Sequence, residues 1–153
     1  MLSTPKYGWS SLKIGQFERS CSYLTDPMLD VADLLGKAIR HENGVAHFDA
    51  EGEGTYDLVY SDESFYIVSR AETTSVIDLD DISLPALVKE FVTEIKQDIE
   101  AWADWDGYLD KAELEAEHPK NLQRIKNALV PLEVYLRYEG KETSSDTVGP
   151  DPS

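Results

Sequence analysis

Histidine and cysteine side chains are the first candidates for catalytic chemistry, because they exchange protons or attack as nucleophiles near neutral pH. The chain has three histidines, His41, His47 and His118, and a single cysteine, Cys21. The histidines fall at a predicted helix end, in a predicted strand and at a predicted helix start, without the spacing of metal ligands. His47 and Asp49 share one face of a predicted strand, where they could bind a metal ion or act as an acid–base pair. A half-buried strand without such a role produces the same pattern. Cys21 is expected to be a small core residue.

The segment from Trp102 to Glu113 combines carboxylates with a glycine and resembles the calcium loop of the EF-hand family. The residues that match the family's third, fifth, turn, eighth, ninth and twelfth positions are Asp104, Asp106, Gly107, Leu109, Asp110 and Glu113. The first position departs from the pattern, because the indole of Trp102 offers no oxygen to a hard cation. We therefore expect no calcium binding at physiological concentrations. A degenerate, calcium-responsive regulatory module remains the alternative interpretation.

Other catalytic patterns are weaker. The sequence Gly52-Glu53-Gly54 lacks the lysine and the helix start of a phosphate-binding loop, and its acidic neighbours repel phosphate. It predicts a turn between two strands. A hydrolase using Asp and Glu would need a concave pocket with clustered carboxyl groups of raised pKa, which a sequence does not reveal. We expect a protein that is not an enzyme and uses no cofactor.

The acidic residues are concentrated in the middle of the chain. Of 30 acidic and 14 basic residues, 20 acidic and 4 basic ones lie between Asp49 and Glu117, so this segment carries the whole net charge of −16. The negative electrostatic field of this segment repels nucleic acid and anionic membranes and attracts basic surfaces. Acidic side chains also simply keep proteins soluble. The segregation favours a basic protein partner over direct nucleic-acid or membrane binding.

Aromatic residues accompany the carboxylates in this acidic segment. Aromatic anchors within a charged rim are typical of protein interfaces. Trp105 and Tyr108 fall in the predicted turn and not on a helical stripe, so a partner could cover them. The predicted partner-binding residues are Asp104, Trp105, Asp106, Tyr108 and Asp110.

Strand and helix signals predict an α+β fold, with an antiparallel sheet of about five strands packed against two or three helices. A hairpin turning at Gly15-Gln16 comes first, and a helix capped by Asp26 follows it. A meander over 45–50, 55–60 and 65–70 comes next. The later helices are predicted from Ser83 to about Trp102 and from near His118 onwards.

The chain is expected to form one domain over residues 1–138 and a flexible acidic tail over 139–153, because the tail has almost nothing apolar to bury. A lone cysteine allows no intramolecular disulfide, and no apolar run approaches the roughly 20 residues that cross a bilayer. We expect a cytoplasmic protein. The oligomeric state stays open.

Three segments, Leu12–Gly15, Cys21–Asp26 and Phe48–Gly52, resemble small bacterial immunity proteins of polymorphic or contact-dependent growth-inhibition toxin systems. The resemblance covers roughly residues 7–105. It implies a non-enzymatic inhibitor that binds and neutralises one cognate toxin, commonly a basic nuclease. The charge distribution independently favours a basic partner protein.

Overall fold

The computed structural model describes residues 1–70, 73–105 and 110–147, with residues 140–147 described by backbone alone. The strands in these parts of the chain are β1 (Trp9–Ile14), β2 (Phe17–Ser22), β3 (Gly44–Asp49), β4 (Thr55–Ser61), β5 (Ser64–Arg70) and β6 (Thr74–Asp78). The α-helices there are α1 (Pro27–Ile39), α2 (Leu84–Gln97), α3 (Ile99–Ala103) and α4 (Lys111–Thr147). The predicted α+β class with antiparallel strands is confirmed.

The strands divide between two sheets. β1 and β2 form a hairpin whose two-residue turn is Gly15-Gln16, as the sequence predicts, with Gly15 at a φ of 58°. The other four strands form a sheet in the order β3-β4-β5-β6, and every neighbouring pair is antiparallel. The Tyr56 hydroxyl connects the sheets by donating towards the carbonyl oxygens of Arg19 and Ser20, at 3.2 and 3.0 Å.

Strand β6 has no counterpart in the predicted meander. All five of its side chains are exposed, so the strand does not alternate between buried and exposed positions. Such alternation is the signal from which a half-buried strand is predicted. It pairs with β5 over its whole length, from Arg70 opposite Thr74 to Tyr66 opposite Asp78. Its existence therefore depends on the partner strand and not on burial of its own side chains.

The core lies between the sheet and the helices. β4 and β5 direct alternate side chains inwards, and Tyr56, Leu58 and Ile67 are fully buried. Helix α1 packs on β3, and α2 packs mainly against α1 and α4. Cys21 is fully buried as expected, and burial raises the pKa of its thiol to about 12.

The helix starts follow local capping signals. The Asp26 carboxylate accepts a hydrogen bond from the Leu29 amide at 3.2 Å, and Pro27 occupies the first turn of α1. Ser83 caps α2 in the same way through the Ala86 amide at 3.4 Å. The helix predicted from Ser83 to Trp102 is, however, interrupted at Asp98, so that α2 and α3 are separate.

Helix α4 is longer than the sequence predicts. It begins at Lys111 instead of near His118, and both Pro119 and Pro131 lie within it. Its backbone remains helical to Thr147, past the predicted end of the domain at residue 138. The domain boundary and the flexible tail over 139–153 stay predictions. No helix in the described part of the chain is both long and apolar enough to span a membrane.

Candidate protein-binding site

The predicted partner-binding residues surround the turn between α3 and α4. Asp104 and Trp105 follow α3 directly, and Asp110 precedes α4. Asp106 and Tyr108 lie outside the described residues. The structure therefore places three of the five predicted residues, and each has a different environment.

Asp104 belongs to an ion-pair cluster around His118. The His118 ring contacts Asp104 through Nδ1 and Glu100 through Nε2, with both nitrogen–oxygen distances at 2.6 Å. The hydrogen bond to Asp104 raises the pKa of His118, and the charge of Glu100 acts in the same direction. Part of the negative charge at this turn is thus compensated within the protein.

Asp110 caps α4. Its side-chain oxygen accepts a hydrogen bond from the Glu113 amide at 2.8 Å, while the residue remains exposed. A carboxylate at this position satisfies one of the free amide groups of the first helical turn and interacts favourably with the helix dipole. This capping role was not predicted, because the sequence interpretation placed the helix start further along the chain.

Trp105 is half-buried against Trp102 and not fully available to a partner. The two ring centroids are 5.5 Å apart, with the ring planes inclined by 53°. Trp102 is only 3% exposed, and its indole nitrogen has no hydrogen-bond partner among the described residues. The pair anchors the turn to the core and leaves part of Trp105 accessible at the surface.

These tryptophans form one side of an open cleft of about 580 Å³. We call it the tryptophan cleft and define it by its aromatic and charged lining residues, Asp26, Trp102, Trp105, Glu113, Glu117 and Arg124. The cleft lies between the start of α1, the end of α3 and the first turns of α4. Asp104 and Asp110 are not among its lining residues, so of the three described residues of the predicted set the structure brings Trp105 alone into the cleft.

The carboxyl group of Asp26 has an altered proton affinity. Burial raises its pKa, because a charged carboxylate loses hydration there, and the Leu29 amide and the charge of Arg124 partly oppose this effect. The group also holds the first turn of α1 through its bond to Leu29. Among the described residues, three carboxyl groups and one guanidinium therefore line the cleft beside two aromatic rings.

This arrangement suits recognition of a cationic side chain. A lysine or arginine can approach an indole face while its charge meets a carboxylate. The cleft also has the concavity and one raised carboxyl pKa that a hydrolase would need. That carboxyl group already caps a helix, and the described lining residues include neither histidine nor cysteine.

His47 has a different partner from the one that strand spacing indicates. Its Nδ1 contacts the carboxylate of Asp57 on the neighbouring strand, and not Asp49 on its own strand. Asp57 is 8% exposed and is also 3.5 Å from Arg70. The cross-strand register creates this cluster, so a single strand's pattern could not predict it.

Comparison of the chain with protein-family models, curated proteins and solved structures finds no match. The resemblances to immunity proteins and to the EF-hand loop therefore stay predictions. Within the described residues, no group of three or more His, Cys, Asp or Glu side chains is arranged to hold a metal ion.

Proposed function

We propose that this protein is a non-enzymatic, cytoplasmic inhibitor of the immunity type, which binds and neutralises a basic partner protein such as a nuclease toxin. The observation that carries the proposal is the tryptophan cleft, where Trp102 and Trp105 lie beside the carboxyl groups of Asp26, Glu113 and Glu117. The concentration of the whole net charge between Asp49 and Glu117 supports it.

The two features have different roles in binding. Long-range attraction between the acidic segment and a basic protein accelerates the encounter and depends on ionic strength. The cleft then holds one cationic side chain of the partner against the partly exposed indole of Trp105, which slows dissociation. Asp104 and Asp110 do not line the cleft, and their carboxylates already have partners in the protein, so they act through the overall charge of the acidic segment and not through contact with the bound side chain.

The first test is recovery of the partner. The protein is immobilised and exposed to extracts of its native cell at low and high salt. We expect it to retain a basic protein at low salt, and we expect the purified partner to lose its activity as the inhibitor is added in equal amount. Failure to retain any basic protein, or full partner activity in the complex, would contradict the proposal.

The second test locates the binding site with matched variants. Trp105→Ala should mainly accelerate dissociation, and the double change Glu113→Lys and Glu117→Lys should slow association and reduce its salt dependence. The control is the double change Glu51→Lys and Glu53→Lys, which alters the charge equally in the exposed turn between β3 and β4. If both charge reversals had equal effects, only the overall charge of the protein would matter for binding, and the cleft would not be the binding site.

A further inference from the structure

Strand β6 leaves one edge of the four-stranded sheet free. It is the last strand in the order β3-β4-β5-β6, and within the described part of the chain it pairs only with β5. An unpaired edge exposes a row of backbone amide and carbonyl groups that can pair with another strand. The edge is therefore a potential site for strand addition.

The direction of these backbone groups follows from the pairing. The Leu79 amide donates to the Phe65 carbonyl oxygen at 2.9 Å, in line with the register of β5 and β6. Because bonded and non-bonded residues alternate along an antiparallel pair, Ile77 and Ser75 also direct their backbone groups towards β5. The backbone groups of Thr74, Val76 and Asp78 consequently point to the free edge.

The side chains of β6 do not block this edge. The strand contains neither proline nor lysine, the residues with which natural edge strands commonly resist pairing. It displays Val76, 64% exposed, on one face and Ile77, 41% exposed, on the other. Threonine, valine and isoleucine favour extended structure, so the segment is suited to a position between two strands.

An acidic groove of about 630 Å³ lies on the Ile77 face of this edge strand, between β6 and the hairpin turn of β1 and β2. We call it the β6 groove and define it by Glu18, Arg19, Ile77, Asp78, Asp80 and Asp81. Its four carboxylates are exposed, and none has an ion-pair partner among the described residues.

The only cation that lines this groove among the described residues does not neutralise those carboxylates. Arg19 donates a hydrogen bond to the Ser69 hydroxyl at 3.0 Å, and its guanidinium lies over the rings of Phe17 and Tyr56 at 5.6 and 5.5 Å. The groove therefore keeps an excess of negative charge next to unpaired backbone groups.

We propose that an extended, basic segment of the partner adds to β6 as a fifth strand of this sheet. The inference rests on the proposed function, because it takes the partner to be a basic protein. Charge selects this occupant over a second copy of the chain, since two copies with a net charge of −16 each repel one another. Backbone bonds to Thr74, Val76 and Asp78 provide affinity.

The two faces of β6 define which sequence the added segment of the partner needs. Side chains of an added strand alternate between the faces, so those on the Ile77 face meet the carboxylates that Glu18, Asp80 and Asp81 contribute to the β6 groove. Those on the other face meet Val76 and, at the end of the strand, Asp78. The segment should therefore alternate lysine or arginine with apolar residues. A segment with the same composition in separate basic and apolar blocks cannot satisfy both faces.

The test uses a short synthetic peptide of alternating lysine and valine, with the block arrangement of the same composition as its control. Nuclear magnetic resonance should show shifted amide signals and slower hydrogen exchange at Thr74, Val76 and Asp78 with the alternating peptide. No binding of the alternating peptide, equal binding of the block peptide, or changes confined to the tryptophan cleft would overturn the proposal.

Variants separate strand pairing from simple charge attraction. Val76→Pro removes a backbone amide that faces the free edge and leaves the amides that bond to β5 in place. It should therefore weaken peptide binding by about tenfold. The control Val76→Thr retains the amide and should bind the peptide normally. Asp80→Asn with Asp81→Asn should weaken binding by about threefold at low salt, and the control pair Glu51→Gln with Glu53→Gln should not. Unchanged affinity of the folded Val76→Pro protein would refute strand addition.

The recovered native partner distinguishes this inference from the function on which it rests. If that partner binds Val76→Pro normally but is lost with Trp105→Ala, strand addition at β6 is wrong and the proposed function stands. If the peptide adds to β6 but no basic protein is retained from native cells, the proposed function is wrong and the docking edge stands.

Discussion

The tryptophan cleft and the β6 groove both contain clustered carboxylates, but the carboxylates have different surroundings. At the cleft and the adjacent turn, Asp26 caps α1, Asp110 caps α4, and Asp104 is paired with His118. At the β6 groove, Asp80 and Asp81 have no ion-pair partner within the described residues. Asp26, Asp104 and Asp110 therefore stabilise local structure, whereas Asp80 and Asp81 are exposed without such a partner in the described structure.

This difference shows that acidic composition alone does not locate a binding surface. A carboxylate that accepts a backbone hydrogen bond or pairs with histidine contributes to folding, and removing it destabilises the protein. A carboxylate without a partner contributes charge to the surface at little benefit to folding. Stability measurements on matched variants can therefore test which acids belong to each class.

The largest expected effect concerns the aromatic side of the cleft. Trp102→Ala should lower the free energy of unfolding by about 3–5 kcal/mol, because it removes a nearly fully buried indole. Ile77→Ala, at the β6 groove, should cost less than about 1 kcal/mol because its side chain is 41% exposed. Urea unfolding of both variants measures the difference. Similar losses would mean that the two regions are packed to the same degree.

A smaller effect is expected at the start of α1. Asp26→Ala should destabilise the protein by about 1 kcal/mol through loss of the helix cap. Asp26→Asn retains an oxygen that accepts the Leu29 amide and serves as the matched control. Thermal unfolding at neutral pH compares the two. A loss as large in Asp26→Asn as in Asp26→Ala would show that the charge, and not the cap, matters.

His118 should make stability depend on pH. Its pKa is raised in the folded protein, so its contribution is complete below the ordinary value of about 6.5 and disappears as pH rises through the raised pKa. His118→Gln should therefore reduce the fall in melting temperature between about pH 6 and pH 8. His41→Gln, at an exposed pair with Glu63, is the control. A pH dependence unchanged by His118→Gln would contradict the assigned ion pairs.

The smallest effect is expected for the free carboxylates. Asp80→Asn with Asp81→Asn should change the free energy of unfolding by no more than about 0.5 kcal/mol, because both side chains are exposed and neither has an ion-pair partner in the described structure. Calorimetry of the double variant beside the parent protein measures this change. A clear loss of stability would show that these acids support the fold and would weaken their assignment to a docking groove.

Local sequence patterns determined much of the fold. Asp26-Pro27 and Ser83 marked two helix starts, and Gly15-Gln16 marked a two-residue turn. Each signal acts within a few residues, through a capping hydrogen bond or a backbone conformation that glycine adopts readily. Alternation likewise predicted three strands, because their inward side chains are buried. These features need no knowledge of the rest of the chain.

The tertiary structure decided which side chains meet. It paired Asp104 with His118, brought Asp26 to the two tryptophans in and directly after α3, and left β6 exposed beside the turn of the first hairpin. None of these contacts follows from spacing along the chain, because packing of separate elements creates them. The sequence therefore determined that the protein is acidic, whereas folding determined which of the described carboxylates have partners within the protein and which are exposed without an ion-pair partner.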